Sequence, residues 1–149
     1  MQPVTVSIRI DRDADQVYAF LDVLANHERF NDHLLTGWQL SGPATGLGAK
    51  ATATANVAGR REPVEIEVIE TTVATTIVER NVSHGGVRVA IGTYRITPAD
   101  DGGARVTFEY AWEHVPRVER LAAPLVRALM RRALQRSLDR LAVELSEHG

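Results

Sequence analysis

Residues 105–145 read RVTFEYAWEHVPRVERLAAPLVRALMRRALQRSLDRLAVEL, and a change of period inside this stretch decides the fold. From Arg105 to Val115 the residues alternate, placing Val106, Phe108, Tyr110, Trp112 and His114 on one face of a strand. Pro116 ends the alternation, and a helical period runs for about 30 residues beyond it. Val118, Leu121, Ala122, Leu125 and Leu129 form one apolar face, opposed by Arg117, Arg120, Arg127 and Arg131. Leu134, Leu138, Leu141 and Leu145 carry a second stripe, which at about 100° per residue lies well round from the first. The spacing predicts a long helix that either bends or swings its apolar arc across a curved surface, with Pro124 as a candidate kink.

Upstream, Val4, Val6, Ile8 and Ile10 alternate with polar residues as a half-buried strand. Asp11 or Asp13 then offers a short carboxylate to cap a helix bearing Val17, Phe20, Leu21 and Leu24 on one face. Ala25 to Leu35 reads as a second short helix or a helix–loop, and from Trp38 the helical period is gone. Gly42-Pro43, Gly46 and Gly48 mark a turn. Strands follow through Ala51–Val57, broken at Ala58-Gly59, then Val64–Ile69, Thr75–Val82 and Val87–Ile96, with turns at Ser83–Gly86 and Pro98–Gly103. Links this short favour antiparallel hairpins over crossovers. The expectation is an α+β domain: a curved antiparallel sheet of about seven strands, two short helices and one long C-terminal helix. That last helix is the only element long enough to cover the sheet's concave face.

A chain of 149 residues is the size of one domain, expected to span 1–149. Its 44% hydrophobic and 24% charged content is an ordinary globular balance, and a net charge of −2 gives no drive toward nucleic acid or anionic lipid. The absence of cysteine excludes disulfides, thiolate metal sites and cysteine nucleophiles. With no leader-like N-terminus and no apolar run approaching the roughly 20 residues of a membrane span, a cytoplasmic protein without a transmembrane segment is expected. His27, His33, His84, His114 and His148 are scattered outside any metal-binding frame, so no metal and no cofactor are expected. Gly85-Gly86 and Gly102-Gly103 are hairpin turns and not phosphate loops, and there is no Gly-x-Ser-x-Gly elbow. A hydrolase or dehydrogenase is therefore disfavoured.

Three segments carry a family resemblance. Ile8 to Leu24 runs a strand into Asp13-Ala14-Asp15-Gln16-Val17-Tyr18-Ala19-Phe20-Leu21; Gly92–Pro98 with Gly102–Thr107 forms a late hairpin; and the chain closes on a helix ending Leu138–Leu145. In this order and spacing the chain resembles the START-like, or SRPBCC, superfamily, whose helix-grip fold is shared with the birch-pollen allergen. Within it the chain is similar to the bacterial polyketide cyclase/dehydrase and lipid-transport-like branch. It departs in having Phe30-Asn31-Asp32-His33 where a Trp-Pro-x-Trp-like segment is common. Its 5% aromatic content is also lower than in specialised aromatase/cyclases. The resemblance implies a cavity between the concave sheet and the long helix.

Ligand-cavity candidates are Tyr94, Phe108, Tyr110, Trp112 and His114 from the strands, with Leu125 and Leu129 from the helix. Tyrosine and tryptophan pair an apolar body with a polar tip, which suits an amphipathic ligand as well as it suits a plain core. Ala51, Ala53 and Ala55 put small side chains where a solid core wants large ones, unless a closely packed helix fills the gap. Arg80, Arg132 and Arg136 would each need an anionic partner if turned inward, and otherwise belong to solvated faces. The first function expected is binding or carrying a hydrophobic small molecule (lipid, isoprenoid or polyketide-like). The alternative is a cyclase/dehydratase working by general acid/base chemistry in the same cavity, with no catalytic residue assigned, and the third a protein-interaction module.

Overall fold

The computed structural model describes residues 1–57 and 59–148; Ala58, where the sequence breaks a strand, and the side chain of His148 lie outside the described residues. Seven strands form one antiparallel sheet: β1 (Val4–Ile10), β2 (Leu35–Ser41), β3 (Lys50–Val57), β4 (Arg60–Thr72), β5 (Thr76–Ser83), β6 (Arg88–Pro98) and β7 (Ala104–His114). Their order is β1-β7-β6-β5-β4-β3-β2, so every neighbouring pair but β1–β7 is consecutive in the chain. Two short helices, α1 (Ala14–Asp22) and α2 (His27–Asn31), separate β1 from β2.

Asp13 is the cap of α1: its carboxylate accepts from the Gln16 amide at 2.9 Å, and the Gln16 side chain accepts from the Asp13 amide at 3.2 Å. This reciprocal box satisfies two otherwise orphaned donors and fixes where the helix starts. A single 3₁₀ turn, Leu24–Asn26, joins α1 to α2, and the second helix is shorter than its sequence suggests. Strand structure begins at Leu35, ahead of Trp38.

The expected long C-terminal helix is present, and a short helix precedes it across a break. α3 (Arg117–Leu121) ends at Ala122, whose ψ of 24° leaves the helical region, and α4 (Ala123–His148) begins directly after it. The break precedes Pro124, which sits in the first turn of α4, where its missing N–H costs no intrahelical bond. The two apolar stripes have different fates. Leu134, Leu138, Leu141 and Leu145 are buried in the core with Val4, Val6, Val106, Phe30 and Leu21. Val118, Leu121 and Leu125 are exposed, Leu121 at 88%.

The arginine face of α4 does more than meet solvent. α4 lies beside the edge strand β1, and its side chains donate to the outward carbonyls of that strand and the residues just before it. Arg127 reaches Gln2 and Pro3 at 3.0 and 2.9 Å, Arg131 reaches Thr5 at 3.1 Å, and Gln135 reaches Ser7 at 3.2 Å. An open strand edge is a template for pairing with another chain, and this row of donors occupies it. Arg80, Arg132 and Arg136 are exposed. At the other side of the helix His33 ties the end of α2 to α4, bonding the Ala133 carbonyl at 3.0 Å while Arg140 pairs with Asp32. Among the described residues, no helix is long and apolar enough to cross a membrane.

Candidate functional site

Between the concave face of the sheet and α4 lies a cavity of about 310 Å³. Ala55, Val57 and Val64 supply one wall from β3 and β4, with Leu34 and Leu35 beside them; Leu125, Val126, Leu129, Met130, Leu134 and Leu138 supply the opposite wall from α4. The alanine row does not open the space directly: Ala51 and Ala53 are buried in the core, and only Ala55 lines the cavity.

Phe108, Tyr110 and Trp112 line it from β7 and Tyr94 from β6. The Tyr94 and Phe108 rings are 4.4 Å apart, and Tyr110 meets Trp112 edge-on at 5.0 Å. Gly92 makes the ring packing possible, since a Cβ there would stand 2.7 Å from Phe108 Cζ and 3.2 Å from Glu79 Cγ. His114 is exposed and outside the lining. The physical reason is a bulge: Ala90 pairs with Trp112 but Val89 with His114, so Glu113 is an extra residue that breaks the alternation.

Buried polar side chains, Glu79, Asn31 and Tyr94 among them, line the cavity. Glu79 is only 7% exposed, and its Oε2 has no hydrogen-bond partner among the described residues. Burial pushes its carboxyl up to about 7, opposed by a hydrogen bond from Asn81. His27 faces it, with Nδ1 3.9 Å from Glu79 Oε2. His27 Nε2 lies 2.7 Å from the Leu21 carbonyl, which can only accept, so Nε2 carries the proton and Nδ1 presents a lone pair. Burial lowers His27 to about 4. Glu79 and His27 are thus a buried acid and base both driven toward their neutral forms, and 3.9 Å is too long for a hydrogen bond between them. Tyr94, hydrogen-bonded to Asn31, is raised well above its ordinary value by burial and then by the charge of Glu79. Tyr110 is pushed up to about 12, chiefly by burial. Both phenols are neutral donors across the ordinary pH range.

At the outer end Arg88 joins three elements. Its Nε donates to Glu119 of α3 at 2.8 Å, its terminal nitrogens pair with Glu119 and with Glu62 of β4, and it reaches Ser83 Oγ at 2.8 Å. Hydrogen bonds from Arg88 to Glu119 and Glu62 hold its guanidinium above the usual value against the effect of burial. Burial is the largest single influence on Glu62 and pushes it up, but the hydrogen bonds and charges of Arg88 and His84 together outweigh it and leave that carboxyl below the usual range. The trio straps α3 to the sheet beside the opening.

Glu79, His27, Asn31 and Arg88 are the functional groups that sequence reasoning missed. In Thr76–Ser83 both Ile77 and Val78 are buried, so alternation alone does not say which neighbour of Arg80 points inward. A signal was present: Ile77, Glu79, Asn81 and Ser83 share one phase, so choosing Ile77 as the inward residue carries Glu79 in with it. Among the described residues no three of His, Cys, Asp and Glu converge as metal ligands.

A seven-stranded antiparallel sheet curled about a terminal helix, with a chamber between them, defines the helix-grip class. Within that class the chain belongs to the family described as polyketide cyclase/dehydrase and lipid transport, which it matches over residues 1–146. Solved structures share the fold. TTHA0849 from Thermus thermophilus superposes with a TM-score of 0.76 at 19% identity, over 99% of this chain and 100% of that one. A START superfamily protein from Mycobacterium smegmatis gives 0.77 at 11% identity, over 99% of each chain. DynU16, a protein of the dynemicin biosynthetic locus, gives 0.69 at 16% identity over 98% of this chain, which spans about half (48%) of DynU16. No curated protein matches the chain. Identities this low establish the fold alone.

Proposed function

We propose that this protein binds a hydrophobic small molecule, of lipid, isoprenoid or polyketide-like character, in the chamber between sheet and α4. The observation carrying this reading is a chamber of about 310 Å³ with apolar walls, lined also by the buried Glu79, Asn31 and Tyr94 and by the Arg88–Glu62–Glu119 group. That volume is at the small end of the roughly 300–1,000 Å³ usual for ligand pockets, which favours a compact ring system or short isoprenoid over a two-tailed lipid. Burying about 300 Å² of apolar ligand surface is worth roughly 7 kcal/mol, and association costs of about 4 kcal/mol or more offset much of it. Apolar contact alone therefore gives loose binding, and selectivity falls to the polar lining groups. The candidates Tyr94, Phe108, Tyr110, Trp112, Leu125 and Leu129 serve as wall contacts; His114 takes no part in this reading.

The test is thermal stabilisation and saturable tryptophan fluorescence change with a panel of small terpenoids and bicyclic ketones, in wild type and in Ala55→Trp. Binding by wild type that is lost when the added indole fills the chamber is expected; wild type indifferent to the whole panel overturns the reading. A second reading, a cyclase/dehydratase of polyketide-like ketones, is favoured by one observation: Glu79 and Tyr94 place two proton-bearing groups beside the same chamber. Turnover of a ketone substrate, absent in Glu79→Gln, would favour it over simple carriage.

A further inference from the structure

The carboxyl of Glu79 is the group least accounted for by the fold. It lines the chamber, yet it is buried and lacks a charged partner. Asn81, two residues along the same strand, serves one side of it, while Oε2 has no hydrogen-bond partner among the described residues. His27 stands behind Oε2 but is 3.9 Å away, held back by its own bond to the Leu21 carbonyl. Cγ of Glu79 is boxed in against Gly92, where even a Cβ would come within 3.2 Å, so the stem is fixed while the carboxyl can turn. The terminal torsion of a glutamate is broad and roughly two-fold, so either oxygen can be presented to the chamber. A buried polar atom left unsatisfied by its own protein is costly, and native structures retain few of them without a use.

We propose that Glu79 is the polar anchor of the chamber: as the neutral acid it donates a hydrogen bond to an uncharged carbonyl or hydroxyl oxygen at the end of an otherwise apolar ligand. The inference rests on the chamber being a ligand site and adds the ligand's polar end. The neutral acid donates where a carboxylate only accepts, so a ketone or alcohol gains a bond that a hydrocarbon cannot make. A ligand carboxylate would be buried without a counter-ion, a desolvation cost that one hydrogen bond from the neutral acid does not repay, and is disfavoured. The groups facing Glu79 allow no alternative counter-ion: His27 from α2 presents a lone pair, Tyr94 from β6 and Tyr110 from β7 are neutral, and Arg88 is engaged by Glu62 and Glu119.

The test uses four probes on one bicyclic skeleton (tetralin, tetralol, tetralone and tetralin carboxylate) titrated into the 149-residue chain. Tetralone and tetralol are expected to bind about tenfold tighter than tetralin, and the carboxylate more weakly than any of them at neutral pH. The preference for tetralone is expected to fade as pH rises through about 7 and to level off once the whole tenfold advantage is gone. In Glu79→Gln the amide still donates, so the preference is retained but becomes independent of pH. In Glu79→Leu tetralin still binds and the preference is lost. Equal binding of tetralin and tetralone by wild type, or a preference unchanged in Glu79→Leu, overturns the anchor while leaving the chamber reading intact. Failure of all four probes to bind wild type removes both.

Discussion

Replacing Glu79 by glutamine should stabilise the protein at neutral and alkaline pH, although it alters a buried polar group that the fold has built around. In the folded chain the carboxyl is raised from 4.5 to about 7 by burial. Between those two values the native state holds a proton that the unfolded chain has released, so wild-type stability falls as pH rises. Integrated over that window, the loss approaches about 3 kcal/mol, a substantial part of the roughly 5–15 kcal/mol typical of a domain. The contribution is fully present below 4.5 and gone once pH has passed through about 7. The amide of the Glu79→Gln variant does not titrate, so the two proteins should be nearly equal below 4.5 and the variant increasingly more stable above it. His27 works in the opposite sense: lowered from 6.5 to about 4 by burial, it supplies stability that is present above 6.5 and lost as pH falls through about 4. The two slopes oppose each other in wild type, which is why the readout is the difference between wild type and variant, from urea denaturation at matched pH. A difference that grows by about 3 kcal/mol across the window is expected. A difference that stays constant, or grows on acidification as a charged Glu79–His27 ion pair would require, refutes the reasoning.

Gly92→Ala should drive the Phe108 ring toward the chamber at a cost of about 1–3 kcal/mol and weaken binding of bicyclic ligands, read by denaturation and fluorescence titration. Arg88→Ala leaves Glu62 and Glu119 without their shared cation and frees α3 from the sheet, so ligand dissociation should quicken by roughly tenfold in stopped-flow measurements. Leu138→Ala, deep in the α4 interface at 1% exposure, should cost about 2–5 kcal/mol in urea denaturation. The double variant Arg127→Ala/Arg131→Ala uncovers the β1 carbonyls and should show concentration-dependent self-association by sedimentation, with the monomer's circular dichroism unchanged.

The strand-to-helix switch at Pro116 was enough to give the architecture, because alternation and helical spacing are properties that a short window of residues contains. What the window lacks is where one element meets another. The exposed first stripe of the C-terminal segment looks in sequence like a core face, and only the position of α3 and the start of α4 beside the chamber explains why Leu121 and Leu125 stay out of the packed core, Leu125 as part of the chamber wall. The arginines opposite read as solvated, and their bonds to β1 carbonyls depend on which strand becomes the edge. Tyr94, Phe108, Tyr110 and Trp112 were legible as a group of cavity candidates, whereas His114 was lost to a bulge that a single sequence does not mark. Glu79 and His27 come from β5 and α2, far apart in the chain, and their shared neutrality arises from burial, which only the packing of those elements creates.

The chain has two methionines, Met1 and Met130, and Met130 lines the chamber. Methyl-labelled methionine therefore yields a spectrum of two signals, one of them inside the space that the functional reading depends on. Titration with tetralone should move the Met130 methyl by the ring current of the bound aromatic, saturably, while Met1 stays still. A Met130 signal unmoved up to the solubility limit of the ligand, or both methyls drifting together without saturation, would contradict a ligand-holding interior.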